Sequence, residues 1–247
     1  MTRLIELARL DERGAAGRDE LAEAVAVAGL VCFPTDTVYG VGGVAAPATA
    51  AALARAKGRP SDKPFQLVYP TLGALLSAVA LSPAVAAAAR RLLPGPFTLL
   101  VPYPAGTSFP SPGAVEWPTT GRRADDGGVA DDRAGDAEAT TVATLGVRVP
   151  AWPPAARALA GLPFPLLASS ANPSGGADPA ALEQVEPALR AACDLLLDGG
   201  PTSGVSSTVL DLSGLEAGRG YRILRAGAAD AATIAAIFAN QEGPAAP

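Results

Sequence analysis

The sequence predicts an α/β fold built on a mixed sheet, from two observations. Short apolar runs of strand length alternate with segments of helical period along most of the chain, and Gly and Pro punctuate the joins. The 247 residues show no internal repeat and suit one α/β domain, 1–247. Hydrophobic residues make up 49% and aromatics 5%, so a sizeable core must rest on Val, Leu, Ala and Pro.

The elements follow in order. Residues 19–28 read as a helix, with Leu21, Ala24, Val25 and Ala28 on one face and Gly29 ending it. Residues 30–33 read as a buried strand, and Pro34-Thr35-Asp36-Thr37 as a turn. An Ala-rich helix over 49–56, N-capped by Thr49, delivers Lys57 and Arg59 at its C-terminal end. A strand over 65–69 precedes helices over 72–79 and 83–93, the second stopped by Pro94-Gly95-Pro96, and a strand over 97–102. Residues 105–140 carry neither period. Asp125, Asp126, Asp131, Asp132, Asp136 and Glu138 make this stretch read as a flexible acidic insertion, with Trp117 as an anchor at one end. Order resumes with a strand over 146–150, a helix over 154–160, and a strand over 166–168 running into Ser169-Ser170-Ala171-Asn172. A helix over 178–192 with Pro179 in its first turn, strands over 195–197, 208–212 and 221–224, and a helix over 230–238 complete the chain.

Composition narrows the chemistry. Histidine is absent, which excludes Ser-His-Asp triads, Cys-His dyads and histidine zinc sites. Proton transfer must use carboxylates, Lys, Tyr, substrate groups or water. Net charge is −5, which argues against a strongly basic nucleic-acid surface. Cys32 and Cys193 sit in apolar runs and read as buried thiols. Arg3, Glu6, Arg9 and Asp11 interrupt any leader pattern, and no apolar run reaches the roughly 18–20 residues of a membrane span. A soluble cytoplasmic enzyme is the expectation.

The chemistry-bearing residues fall in separate runs. Lys57-Gly58-Arg59-Pro60-Ser61-Asp62-Lys63 places three cations in seven residues, as polyanion binding requires, although a solvated basic loop has the same composition. It is not a Walker A loop. Pro34-Thr35-Asp36-Thr37-Val38-Tyr39-Gly40 leaves a strand with hydroxyls, a carboxylate and a phenol, where ligands gather in open α/β sheets. Ser169-Ser170-Ala171-Asn172-Pro173-Ser174-Gly175 and Ser206-Ser207-Thr208 offer uncharged donors or turn formers. Arg148 alternates with Val147 and Val149, which leaves it a surface residue or a ligand cation.

The ordered set is more specific than its members. Pro-Thr-Asp-Thr-Val-Tyr-Gly, Lys-Gly-Arg-Pro, Pro-Gly-Pro-Phe-Thr, Val-Arg-Val-Pro, Ser-Ala-Asn-Pro-Ser-Gly, Ser-Thr-Val-Leu-Asp and Ile-Leu-Arg-Ala-Gly, between about Leu21 and Gly227, resemble the YrdC family of threonylcarbamoyl-AMP synthases, in its short single-domain form. The resemblance implies an open concave cleft. It also implies condensation of L-threonine, bicarbonate and ATP into threonylcarbamoyl-AMP and pyrophosphate for tRNA modification. Lys57 and Arg59 would then be catalytic and hold ATP phosphates, supported by Lys63. Thr144, Asn172 and Arg225 would also meet the nucleotide. Thr35, Arg148, Ser170 and Ser207 would meet threonine. Magnesium would accompany the triphosphate, with no metal site of the protein's own. tRNA and downstream threonylcarbamoyl-transferase proteins would be partners. Two positions depart from the pattern: Gly42-Gly43 after the tyrosine, and Ala180, which lacks a hydroxyl. A paralogue acting on another carbamate or carbamoyl donor, or a non-catalytic RNA-binding relative, would share the fold.

Overall fold

The computed structural model describes residues 2–58, 65–102, 144–173 and 175–239. The 105–140 insertion with Trp117 lies outside the described residues, as do Arg59 and Lys63.

In chain order the elements are β1 (Arg3–Glu6), α1 (Leu7–Asp11), α2 (Gly14–Val27), β2 (Val31–Phe33), β3 (Gly40–Val44), α3 (Pro47–Ala56), β4 (Gln66–Val68), α4 (Leu72–Ala78) and α5 (Pro83–Leu92). There follow β5 (Phe97–Pro102), β6 (Thr144–Arg148), β7 (Leu166–Ser170), α6 (Pro187–Ala191), β8 (Leu195–Asp198), β9 (Thr208–Asp211), β10 (Arg222–Arg225) and α7 (Ala231–Ala239), with 3-10 segments at Pro154–Gly161 and Leu182–Gln184. The described strands form one ten-stranded sheet in the order β1-β8-β2-β3-β7-β4-β6-β5-β9-β10. It is mixed, as expected: β4 runs parallel to β6 but antiparallel to β7, and β5 parallel to β9 but antiparallel to β6.

Strand periodicity decides how the sheet is covered. Successive side chains point to opposite faces. Cys32, Leu67, Leu99, Val147 and Leu167 pack on one face, against Leu53 of α3, Leu75 of α4, the Val85/Ala88/Ala89/Leu92 stripe of α5 and Ile234 of α7. Their neighbours Val31, Phe33, Val68, Leu166 and Ala168 pack on the other, against Leu7 of α1, Leu21 and Val25 of α2, and Ala156 and Leu159. Each such leucine contributes roughly 1.5–3 kcal/mol by full burial. The second core stops short. Among the described residues it takes no member from β5, β6, β9 or β10. On that half of the face the alternating positions carry Thr98, Leu100, Thr144, Gly146, Arg148 and Val209, so polar residues and a glycine interrupt the apolar floor. A polar half-face on an otherwise two-sided sheet is what makes room for a site.

Several local expectations change. Gly40–Val44, assigned to no element from sequence, is a buried strand between β2 and β7. Gly42 pairs with Ala168, and a Cβ there would stand 2.2 Å from the Leu167 carbonyl oxygen. The Gly42-Gly43 departure is therefore a packing requirement. Gly42→Ala is expected to lower stability by at least about 1–3 kcal/mol, read as a fall in the urea midpoint at unchanged m-value.

Thr49 does not cap α3. The N-cap is Ala46, and the Thr49 hydroxyl donates to the Val44 carbonyl at 2.6 Å, tying the helix to β3. The helix expected over 178–192 is a 3-10 turn and one short helix. Its first residues are used elsewhere: the Pro179 carbonyl accepts from Tyr39 N at 2.9 Å and the Ala180 carbonyl from Thr202 N at 2.7 Å. Pro187 then restarts the chain as a helix, at a first-turn position that needs no donor. The 154–160 helix is of the 3-10 type, and β1 and α1 precede the first element read from sequence. In β1 only Ile5 is buried, so no alternation betrays it. Both thiols are buried, as expected, and burial pushes Cys193 up to about 12.

Candidate functional site

A cleft of about 120 Å³ opens on the polar half-face, lined by residues that include Thr35, Gln66, Thr98, Arg148, Ser170, Ser207 and Arg225. Four of these were read from sequence as amino-acid contacts and one, Arg225, as a nucleotide contact. The cleft brings all five together.

Arg148 is not a surface residue. It is 2% exposed, because its β6 position is set by Val147 packing into the first core on the opposite face. Its Nη2 donates to Asp36 Oδ1 at 2.5 Å, Thr37 Oγ1 at 2.6 Å and Thr35 Oγ1 at 3.3 Å. Burial pulls its pKa down and the Asp36 carboxylate opposes this; an arginine remains protonated through either. The turn after β2 holds that acceptor set. Thr35 Oγ1 donates to the Val38 carbonyl at 2.6 Å and accepts from Thr37 N and Val38 N at 3.2 Å, a side-chain-closed turn. The other Asp36 oxygen accepts from Ala151 N at 3.2 Å. Arg148 Nε is buried and has no hydrogen-bond partner among the described residues, so the guanidinium keeps donor capacity beyond the Asp36 pair.

Lys57 does not line the cleft but bonds to residues of its wall. It closes α3, and Gly58 beside it takes φ +58°, in the left-handed region that glycine adopts freely. The ammonium is carried onto the end of β7, where Nζ donates to Ser169 Oγ at 3.0 Å, the Ser170 carbonyl at 2.5 Å and Asn172 Oδ1 at 3.4 Å. Ser170 Oγ donates to the same Asn172 oxygen at 2.6 Å, while Asn172 Nδ2 donates to the Gly176 carbonyl at 2.6 Å and Asp178 Oδ1 at 3.2 Å. Donors on one side and acceptors on the other fix the amide's orientation. Lys57 is 7% exposed.

At the far side Arg225, on the exposed edge strand β10, donates to the Ser207 carbonyl at 2.9 Å through Nη2 and at 3.2 Å through Nε. Nη2 also reaches Ser207 Oγ at 3.1 Å. Ser207 Oγ lies 2.8 Å from Thr98 Oγ1, which donates to Gln66 Oε1 at 2.8 Å. Thr144 stands apart. It lies on the Arg148 face of β6 but not in the cleft wall, and its buried Oγ1 has no hydrogen-bond partner among the described residues.

Sequence reasoning missed Gln66 and Thr98 as cleft residues, and missed Asp36 as the partner of Arg148. Thr98 sat in a quoted motif with no role assigned. Gln66 gave one signal only, an amide at the start of an apolar strand. No helix among the described residues is long and apolar enough to cross a membrane.

Comparison with known proteins bears on the site. A family model for Sua5, YciO and YrdC, described as "Telomere recombination", matches residues 23–227. A threonylcarbamoyl-AMP synthase of Pyrococcus abyssi is 32% identical over 74% of this chain and 47% of its own length. One of Bacillus subtilis is 32% identical over 73% and 46%. The chain thus spans about half the length of these curated relatives. A Mycobacterium tuberculosis relative is matched at 32% identity over 85% of this chain and 83% of its own. Among solved structures, P. abyssi Sua5 complexed with L-threonine superposes with a TM-score of 0.67 at 28% identity, covering 90% of this chain and 57% of that one. Escherichia coli YciO superposes at 0.67 with 20% identity over 93% and 98%, a likeness of fold. With the family model spanning the cleft residues from Thr35 to Arg225, the chain belongs to the Sua5/YciO/YrdC family.

Proposed function

We propose that the chain is an L-threonylcarbamoyladenylate synthase, a nucleotidyltransferase that condenses L-threonine, bicarbonate and ATP into threonylcarbamoyl-AMP and pyrophosphate for tRNA threonylcarbamoyladenosine modification in the cytoplasm. One observation carries the reading. Thr35, the buried Arg148, Ser170, Ser207 and Arg225 line one cleft, and the buried Lys57 ammonium donates to Ser169 and Ser170 of its wall.

The proposed chemistry needs no protein nucleophile. The threonine amine and bicarbonate give a carbamate and water. A carbamate oxygen then forms the new bond to the α-phosphorus as the bond to pyrophosphate breaks; the proton lost from the free amine has already left in the water formed with the carbamate. ATP enters as its magnesium complex, as substrate. Lys57 and Arg59 hold its phosphates with Lys63 in support, and Thr144, Asn172 and Arg225 meet the nucleotide. Thr35, Arg148, Ser170 and Ser207 position threonine. Catalysis is then orientation plus charge stabilisation by fixed donors. tRNA and a threonylcarbamoyl-transferase would consume the product.

Pyrophosphate release from labelled ATP tests this. It is expected only when threonine and bicarbonate are both present. Release independent of threonine, or release supported by carbamoyl phosphate in place of bicarbonate, would overturn the assignment and favour another carbamoyl donor.

A further inference from the structure

With the Gln66 amide oriented so that Oε1 faces Thr98, the row Arg225–Ser207–Thr98–Gln66 runs in one direction. Arginine only donates, so Ser207 Oγ accepts from Arg225 Nη2 at 3.1 Å. The Thr98 hydroxyl carries one proton, which goes to Gln66 Oε1 at 2.8 Å. The Ser207 proton therefore fills the 2.8 Å contact to Thr98. The donors run from Arg225 inward and end on the Gln66 carbonyl oxygen. What this leaves at the end of the row is the Gln66 Nε2, with two N–H donors and no hydrogen-bond partner among the described residues, on a half-buried side chain that lines the cleft.

The sheet register makes this reach possible. β6 lies between β4 and β5. Leu67 pairs with Val147 and Val68 with Arg148, so the position beside Gln66 on β6 is Gly146. Gly146, which faces Leu100 on β5, presents no side chain between Thr144 and Arg148, and Gln66 crosses β6 diagonally there to Thr98. Thr98 stands beside Arg148 in the register, so the bond to Thr98 brings the amide to the Arg148 end of the face. Two donor-only groups, one charged and one neutral, flank one stretch of the cleft floor.

We infer that Gln66 is a further substrate-binding residue that donates, beside Arg148, to the carboxylate of the amino-acid substrate, with its amide held in the donating orientation by Thr98, Ser207 and Arg225. This deepens the proposed function and rests on it. A neutral donor adds a hydrogen bond to the carboxylate without adding to the positive charge of Arg148, which is already buried.

Calorimetric titration tests this on the full chain, with L-threonine and with L-threoninol, which lacks the carboxylate. Gln66→Met keeps the length of the side chain and removes both donors; it is expected to raise the Kd for L-threonine about ten- to hundredfold and to leave that for ATP unchanged. Gln66→Glu keeps the acceptor for Thr98, so its thermal midpoint should match wild type, while its threonine affinity should fall at least as far. For L-threoninol the Gln66→Met penalty should vanish. Wild-type affinity for threonine in a folded Gln66→Met, or an equal penalty with threoninol, overturns the inference alone. A wild type that binds no threonine overturns the proposed function, and this inference with it.

Discussion

Lys57→Ala is expected to lower kcat/KM for threonine-dependent pyrophosphate release by about 10²–10³-fold, the usual loss when one preorganised donor leaves a site of developing charge. The residue is suited to that role by how it is held. Its ammonium rests on Ser169, Ser170 and Asn172, all acceptors at or just beyond the end of β7. The same bonds make a smaller structural contribution. Their loss should cost no more than about 1–3 kcal/mol, because the α3 core contact is made by Leu53 and survives the substitution. Activity and urea midpoint measured on the same preparation separate the two effects. Unfolding that accounts for the whole loss of activity would make Lys57 a structural latch. Lys57→Arg is not expected to rescue fully, since a planar guanidinium does not replace a point charge seated among three acceptors.

Asp36→Ala is expected to be the most destabilising change in the site, by about 3–5 kcal/mol, because it leaves the Arg148 guanidinium buried without its counter-charge. The pair is nearly enclosed: side-chain exposures are 3% for Arg148 and 13% for Asp36. Thr35 and Thr37 remain as acceptors but carry no charge. Removing both charges should cost less than removing one, so Arg148→Met combined with Asp36→Ala is expected to recover part of the stability while remaining unable to bind threonine. Equilibrium urea unfolding of the two single variants and the double variant measures the coupling. An Asp36→Ala variant as stable as wild type would mean that water, not Asp36, neutralises Arg148. The pair has a consequence for ligand binding as well. Asp36 occupies one nitrogen of the guanidinium and fixes the plane of the rest, so a substrate carboxylate meets an oriented group rather than a flexible one.

Some of this was legible in the residues. Strand 97–102 and the helices expected over 72–79 and 83–93 fall where apolar period places them, and the structure adds the caps: Thr71 accepts from Ala74 N at 3.1 Å and Ser82 from Val85 N at 3.4 Å. The ordered motifs pointed to one family, and the family model covers the same stretch. Local pattern failed where a backbone group is claimed by a distant segment. Residues 178–192 carry a helical composition, yet Tyr39 and Thr202 take the carbonyls of Pro179 and Ala180. Gly40–Val44 has the composition of a turn, yet its glycines let β3 close against β7.

The sequence by itself determined the mixed α/β architecture, the exclusion of histidine chemistry, and which residue types could meet an anion. Those follow from period and composition, which are local. Only the tertiary structure decided that Arg148 is buried rather than at the surface, that Asp36 is its counter-charge, and that Gln66 crosses β6 over Gly146 to reach Thr98. Each of these depends on which strands are neighbours and in what register. A one-residue shift of β6 would turn Arg148 into the apolar core and Val147 into the cleft.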